Sequence, residues 1–400
     1  MVAVKVLFSS FAEPGHLYPL LPLAEAMRDA GHSVTFATGH EFTPALRSLG
    51  FQTVTAVGSI TDALNRAVTG TQDAQSHAVQ VQAAIWAAAG GAADMPGPEV
   101  IAEVAEVSGR FTANACRELL PVVDEVRPDL IVYEDVNIGA GLAGAARGVP
   151  SVSVSALLLG APAFLHDAMA EPLAGVWTEI SSEPFPDPQL RVDTRPLGFG
   201  DDLVDVVVPR TPMRPVPWGM PGSELPEWVT EPRDRPLVYV TMGSVPFAEH
   251  DRLRATIDGL AGLPVDVLVS VGDKNDPAEW TGLPESVRVT GFVRQDLVLP
   301  HVDVAVHHGG SGTTTGCLAN GVPQLALPWM ADQFPNALAI DIARVGLSLQ
   351  YHEVTAPTVE HAVRELLDTK GYSARSQAFR ETIEAMPSPS EVAAYLETLV

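Results

Sequence analysis

Short apolar runs alternate with helical repeats from the first residues onward. The run VKVLFSS is followed by the loop FAEPGH, by apolar positions Leu20, Leu21, Leu23, Ala24 and Met27 at helical spacing, and by Gly31 and a second run, SVTFAT. This predicts a βαβ start. Runs of this kind, joined through Gly and Pro and lacking strict two-residue alternation, suit a parallel sheet covered on both faces. The pattern returns at Leu130–Tyr133 and Ser151–Ser155 with an alanine-rich helix between them. Residues 60–125 read as long, weakly periodic, Ala-rich helix carrying Trp86, Met95 and Phe111. These three are candidates for lining an apolar cavity, or for packing on the sheet.

From 207 to 236 the pattern stops. Eight prolines fall in this stretch, a density that helices and central strands do not tolerate, and it is read as a linker. The alternation then restarts with PLVYVTMGS, PVDVLVSVG, SVRVTGFV, VDVAVHHGG and VPQLALPW, each followed by a helical or loop segment. The expected fold class is α/β, with two Rossmann-like parallel α/β domains across a cleft. The expected units are residues 1–206, the linker 207–236 and a second domain over 237–378.

Composition narrows the partners. Twenty-four Lys and Arg against 49 Asp and Glu give a net charge of -25, the wrong sign for a nucleic-acid footprint. Cys116 and Cys317 stand alone, so neither a disulfide framework nor a cysteine zinc site can be built, which fits a reducing cytoplasm. Val2–Phe8 contains Lys5 and runs straight into a Gly/Pro loop, unlike a signal peptide. Ser151–Leu165 is the most apolar stretch and is broken by serines, Gly160 and Pro162, so no membrane span is expected.

The richest chemistry lies in residues 302–336. An apolar strand runs into His307, His308 and the turn Gly309-Gly310-Ser311-Gly312, and a helix opens at Thr313. Glycines admit a phosphate to the main chain, the first N–H groups of a helix point at it, and Ser311, Thr313 and Thr314 add hydroxyls. Asp332 and Gln333 follow the next strand, again at the carboxyl end, where open α/β sheets bind ligands. Asp332 can alternatively cap a helix beginning near Pro335. His16, in the loop after the first strand, can serve as a general base or as a helix-terminal residue. Gly139–Gly144 spells G-x-G-x-x-G but lies several residues beyond its strand and lacks an acidic partner, so it reads as close helix packing. No phosphate-binding G-x-x-x-x-G-K-[ST], no G-x-S-x-G and no Asp-x-Asp pair occurs, and His307 and His308 point to opposite sides of a strand, so no metal site is expected.

The segments GHLYPLLPLAEAMRDAGHSVTFATG, RPDLIVYEDVNIGAGLAGAARGVPSV, PLVYVTMGS and GFVRQDLVLPHVDVAVHHGGSGTTTGCLANGVPQLALPWMADQFPNA resemble GT-B-fold, nucleotide-sugar-dependent glycosyltransferases of family 1. The chain is most similar to the actinobacterial enzymes that attach deoxysugars to antibiotics. The resemblance implies His16 as the base that deprotonates an acceptor hydroxyl, oriented by Glu134 or Asp135. It implies a diphosphate site of Ser244, His307, Gly309, Gly310, Ser311, Gly312, Thr313 and Thr314. Phe292 and Val293 fall where relatives hold the base, and Asp332 and Gln333 where they hold the sugar. Residues 379–400 are then a helix returning to the first domain.

The implied chemistry is an inverting displacement with no metal and no cofactor. The partners are a nucleotide sugar, expected to carry dTDP, and a small hydrophobic aglycone, in a cytoplasmic monomer or homodimer with no nucleic acid and no membrane. Two other readings share the architecture: a nucleotide-sugar 2-epimerase, and a non-catalytic nucleotide-sugar-binding auxiliary protein.

Overall fold

The computed structural model describes residues 3–68, 86–91, 93–160, 163–186, 190–204, 209–220, 225–243, 250–272 and 275–400. Among these residues the strands form two wholly parallel sheets. The first has seven strands in the order β3-β2-β1-β4-β5-β6-β7, with β1 Lys5–Ser9, β2 Ser33–Thr38, β3 Gln52–Thr55, β4 Leu130–Glu134, β5 Ser151–Val154, β6 Leu190–Asp193 and β7 Arg210–Pro212. The second has six in the order β10-β9-β8-β11-β12-β13, with β8 Leu237–Thr241, β9 Asp266–Ser270, β10 Val287–Thr290, β11 Val304–His307, β12 Gln324–Ala326 and β13 Gly346–Ser348.

Central strands carry continuous apolar runs because helices cover both faces. Val6, Phe8, Val132 and Val154 pack under the helix Leu21–Asp29, while Leu7, Ile131 and Tyr133 pack under the long helix Pro98–Val126. In the second sheet Val238, Val240, Val267 and Val306 meet the helices His250–Ala261 and Ala356–Asp368. Register then places the chemistry. Ser9 lies opposite Tyr133, so the loop holding His16 emerges beside Glu134, and His307 lies between Thr241 and Ala326.

Three departures from the sequence expectation have physical causes. Arg210–Pro212, inside the expected linker, is the edge strand β7 of the first sheet, and Pro212 is tolerated because it ends that edge. The short or half-exposed strands β3, β6 and β13 carry too little apolar sequence to stand out. His16 lies within the helical turn Pro14–Leu17 and not ahead of it. Part of the expected 60–125 helix, residues 69–85, lies outside the described residues.

The two domains share buried apolar surface. Leu158, Leu159 and Phe199 from the first pack with Leu318, Ala337, Ile340 and Phe379 from the second. The helix Pro389–Leu396 adds Val392, Ala393 and Leu396 to the first domain's core. It is pinned there by Glu397. His32 Nδ1 accepts the Val4 N–H at 3.2 Å, so its Nε2–H donates to Glu397 at 2.8 Å. Among the described residues no helix is long and apolar enough to cross a membrane.

Candidate active site

At the carboxyl end of the first sheet, Glu134 ends β4 with no exposed surface, and its Oε2 accepts the Val136 N–H at 2.8 Å. The same oxygen is 3.2 Å from His16 Nδ1. The two groups touch without the alignment of a hydrogen bond, so His16 Nδ1 and Glu134 Oε1 have no partner. Burial pulls the His16 pKa down, but the Glu134 carboxylate, helped by Asp135 and Asp332, outweighs it and holds the imidazole above its ordinary value. Asp332, the smallest of these contributions, belongs to the other domain.

Of the two carboxylates left open by the sequence, Glu134 contacts His16. Asp135 is turned elsewhere: Oδ1 accepts the N–H groups of Ala156 and Leu157 at 3.0 and 3.3 Å, and Oδ2 pairs with Arg191 at 3.0 Å. Burial raises the Asp135 pKa against the pull of Arg191. Asn137, buried beside them, donates to Ser9 Oγ at 2.9 Å.

In the second domain the two histidines depart from the expected arrangement. His307 is fully buried, its Nδ1 accepts the Gly309 N–H at 3.0 Å, and its Nε2–H therefore donates to Gln324 Oε1 at 2.9 Å. With both nitrogens used inside the protein, His307 cannot touch a diphosphate, and burial with its neighbour His308 lowers its pKa to about 3. His308 follows the strand end and stands between Gly243 and Gly310, each of which would strike its ring with a Cβ. Its Nδ1 has no partner, and burial lowers its pKa to about 4, so it is a neutral imidazole at pH 7.

The turn itself divides into packing and open positions. Gly309 has φ +86° and a Cβ there would press on the Gln333 backbone, so two of the glycines serve the protein's own geometry. Gly312 has nothing within 4 Å of its Cβ position and leaves the helix start open. The helix runs from Ser311 to Asn320, with the Thr314 N–H already bonded to Gly310. The N–H groups of Ser311, Gly312 and Thr313 precede that bond and are free of intrahelical partners. Thr313 Oγ1 accepts from Gln295 at 3.1 Å, which leaves its hydroxyl hydrogen to donate outward. The Thr314 hydroxyl is buried without a partner, and the Ser311 hydroxyl donates to Asp332 Oδ2 at 2.6 Å. Ser244 lies outside the described residues.

Asp332 precedes the helix Gln333–Ala343 but makes no side-chain cap. Its carboxylate instead takes hydrogen bonds from Ser311 and, at 3.0 Å, from Asn336 Nδ2. Burial raises its pKa, opposed by Ser311, Asn336 and His16. Gln333 Oε1 accepts the N–H groups of Trp329 and Met330, fixing the loop that carries Asp332. Phe292 is half-buried beside Val293, whose side chain is in the core, so only the Val293 backbone can meet a ligand.

Sequence reading missed His308, Asn336 and Arg191. Asn336, at i+4 from Asp332, was the one with a signal. Of the acceptor candidates, Phe111 packs on Phe11 with ring centroids 4.7 Å apart in the apolar core, and Met95 is 56% exposed. Phe111 thus packs on the sheet. Trp86 is half-buried in a short segment whose Gly90 lies against Phe334 of the other domain.

The model for the C-terminal domain of erythromycin biosynthesis protein CIII-like proteins matches residues 254–399. Over 99% of this chain and 96% of its own length, the aklavinone 7-beta-L-rhodosaminyltransferase of Streptomyces galilaeus is 29% identical. The glycosyltransferase SsfS6 of Streptomyces sp. SF2575, solved with thymidine diphosphate, covers 99% of both chains at 26% identity and TM-score 0.78. The chain is a GT-B glycosyltransferase. The spinosyn rhamnosyltransferase SpnG superposes over 99% of both chains with TM-score 0.81 at 22% identity, a likeness of fold. The domain holding His16 and Glu134 is named the acceptor domain below, and the one holding His308, Thr313 and Asp332 the donor domain, for the roles proposed for them.

Proposed function

We propose that the enzyme moves a deoxysugar from a nucleoside diphosphate, read as dTDP, to a hydroxyl of a hydrophobic aglycone, with inversion and without a metal. The observation that carries the reading is the placement of His16 against Glu134 on one domain, within electrostatic reach of Asp332 on the other. With Nδ1 turned to Glu134, His16 Nε2 takes the proton of the acceptor hydroxyl. The acceptor oxygen forms its bond to the anomeric carbon as the bond from that carbon to the diphosphate oxygen breaks. The proton ends on His16, where Glu134 stabilises the imidazolium, and the negative charge ends on the nucleoside diphosphate. That charge is met by neutral donors: the first N–H groups of the Ser311 helix, the Thr313 hydroxyl and the His308 imidazole. Asp332 accepts hydrogen bonds from sugar hydroxyls, a task for which a carboxylate is suited and which a diphosphate beside it would not share.

The test follows nucleoside diphosphate release from dTDP- and UDP-linked sugars, with and without a panel of aglycones and with chelator. Release that needs an aglycone, persists in chelator, and falls about 10²–10⁴-fold in His16→Ala supports the reading. Release that ignores the aglycone, or that stops with chelator, overturns it.

A further inference from the structure

Asp135 and Ser311 sit in different domains, yet an unbroken series of short polar contacts joins them. The Asp135 carboxylate holds the turn after β5 through the Ala156 and Leu157 N–H groups. Arg191, paired with Asp135 at 3.0 Å, clamps the same turn from its other side by donating to the Leu157 carbonyl at 3.0 Å. The next amide, Leu158 N–H, crosses to the donor domain and donates to Ser311 Oγ at 2.8 Å. Asn336 Nδ2 donates to the same oxygen at 3.1 Å. Asn336 shares its two amide hydrogens among the Gly309 carbonyl, Asp332 Oδ2 and this oxygen, and the Ser311 hydroxyl donates to Asp332 Oδ2.

We infer that Asp135, Arg191 and Ser311 are positioning residues that fix the Asp332 carboxylate for the donor sugar, so that the acceptor domain sets part of the donor domain's sugar specificity. Adjacent carboxylates at the end of β4 thus serve opposite halves of the site. Glu134 orients the acceptor-side base, and Asp135 acts through the Ala156–Leu158 turn on the donor side. The interdomain apolar cluster contains Leu158 and Leu159 themselves, so the crossing contact is anchored by buried surface and does not depend on a long flexible side chain. A hydroxyl held by three partners has one orientation, and this leaves the free edge of the Asp332 carboxylate in a fixed direction.

The inference rests on the reading of Asp332 as a sugar contact, and the experiment separates the two. Affinities for a nucleotide sugar and for the free nucleoside diphosphate are measured by calorimetry on the full chain carrying Ser311→Ala, Asp135→Asn, both together, or Asp332→Ala. A hydrogen bond to a charged group sets the scale, so Ser311→Ala and Asp135→Asn should each weaken the nucleotide sugar about tenfold or more. The nucleoside diphosphate should stay within about twofold, and the double variant should lose little beyond the worse single one, as members of one chain of contacts do. A merely structural role would lower both affinities together. Equal losses for the two ligands, or an unchanged nucleotide-sugar affinity in Ser311→Ala while Asp332→Ala loses it, would overturn the positioning role. If Asp332→Ala itself does not distinguish the ligands, the sugar-site reading falls and the positioning role with it. Should Asp135→Asn fail to fold, Ser311→Ala alone decides.

Discussion

His307→Ala and His308→Ala form a pair of perturbations with opposite expected outcomes, although the residues are neighbours. Removing the His307 ring strands the Gly309 N–H and Gln324 Oε1, both of which it now satisfies. Each unsatisfied buried group costs about 1–3 kcal/mol, and the vacated volume adds about 2–3 kcal/mol by comparison with other large-to-small core changes. The sum, about 4–9 kcal/mol, is a large part of the roughly 5–15 kcal/mol that holds a domain together. It corresponds to a fall in melting temperature of about 10–35 °C. His308→Ala strands less, because its Nδ1 makes no hydrogen bond and the ring's one backbone contact is with Thr241. It should keep most of the melting temperature and weaken nucleoside diphosphate binding about tenfold or more, the scale of one lost hydrogen bond to a charged ligand. Thermal unfolding, followed by calorimetry with the nucleoside diphosphate at low temperature, measures both. Acid unfolding supplies a second readout. A histidine held near 3 in the folded protein but at 6.5 in the unfolded chain contributes stability that is full above pH 6.5 and drains away as the pH falls toward 3. His307→Ala should abolish that share of the decline. A His307→Ala protein that keeps its melting temperature while losing the ligand would refute the assignment.

Two further outcomes follow from the same geometry. Glu134→Gln removes the charge that raises the His16 pKa, so the acidic limb of kcat/KM should move to lower pH and kcat should fall. The raised pKa also means that protonated His16 stabilises the fold below pH 6.5 and loses that contribution as the pH rises through its folded value, the direction in which the neutral base becomes available; an unmoved limb would dissociate Glu134 from His16. Gly90→Ala would place a methyl 2.4 Å from the Phe334 carbonyl carbon, pushing the Trp86–Gly91 segment off the donor domain. Turnover should fall, by up to about 10²-fold for a displacement of an ångström, with nucleoside diphosphate affinity kept, and wild-type kinetics with the aglycone would show that this contact has no part in shaping the cleft.

The sequence made the architecture legible where strands are central. The buried parts of the runs VKVLF and VDVAV, Val6–Phe8 and Val304–Val306, are apolar because both of their faces are covered, and the Gly-rich turn marked a helix start at the carboxyl end of a strand. Of the edge strands, β3 and β7 escaped, since β3 is partly exposed and β7 is three residues with a proline, while β10 was read in SVRVTGFV. The site was read at the level of segments and misread at the level of atoms. The family resemblance put His307 on the phosphate, but β11 closes on His307, which turns inward to Gln324, and it is the His308 ring that stands at the turn against Gly243 and Gly310. The division of labour between Glu134 and Asp135 depends on Arg191, more than fifty positions away, which no local pattern connects to either. Ser311 was expected on the ligand, but its hydroxyl is committed by a backbone amide of the other domain, a contact that exists only after the domains meet.

The helix Pro389–Leu396 has a consequence for how the molecule is made. The first domain opens with β1 at Lys5, yet Val392, Ala393 and Leu396 complete its core beside Leu21 and Leu23, and Glu397 closes on His32. During synthesis the N-terminal domain emerges first and would ordinarily fold as a unit. Here it must wait, with an apolar stripe uncovered, until the entire donor domain has left the ribosome. Burying Val392 and Leu396 is worth about 1.5–3 kcal/mol each, enough for a nascent chain lacking them to linger in a loosened state open to chaperones and proteases. The enzyme's first half is therefore finished by residues translated after the donor domain, and release of a competent acceptor domain is tied to completion of the donor domain.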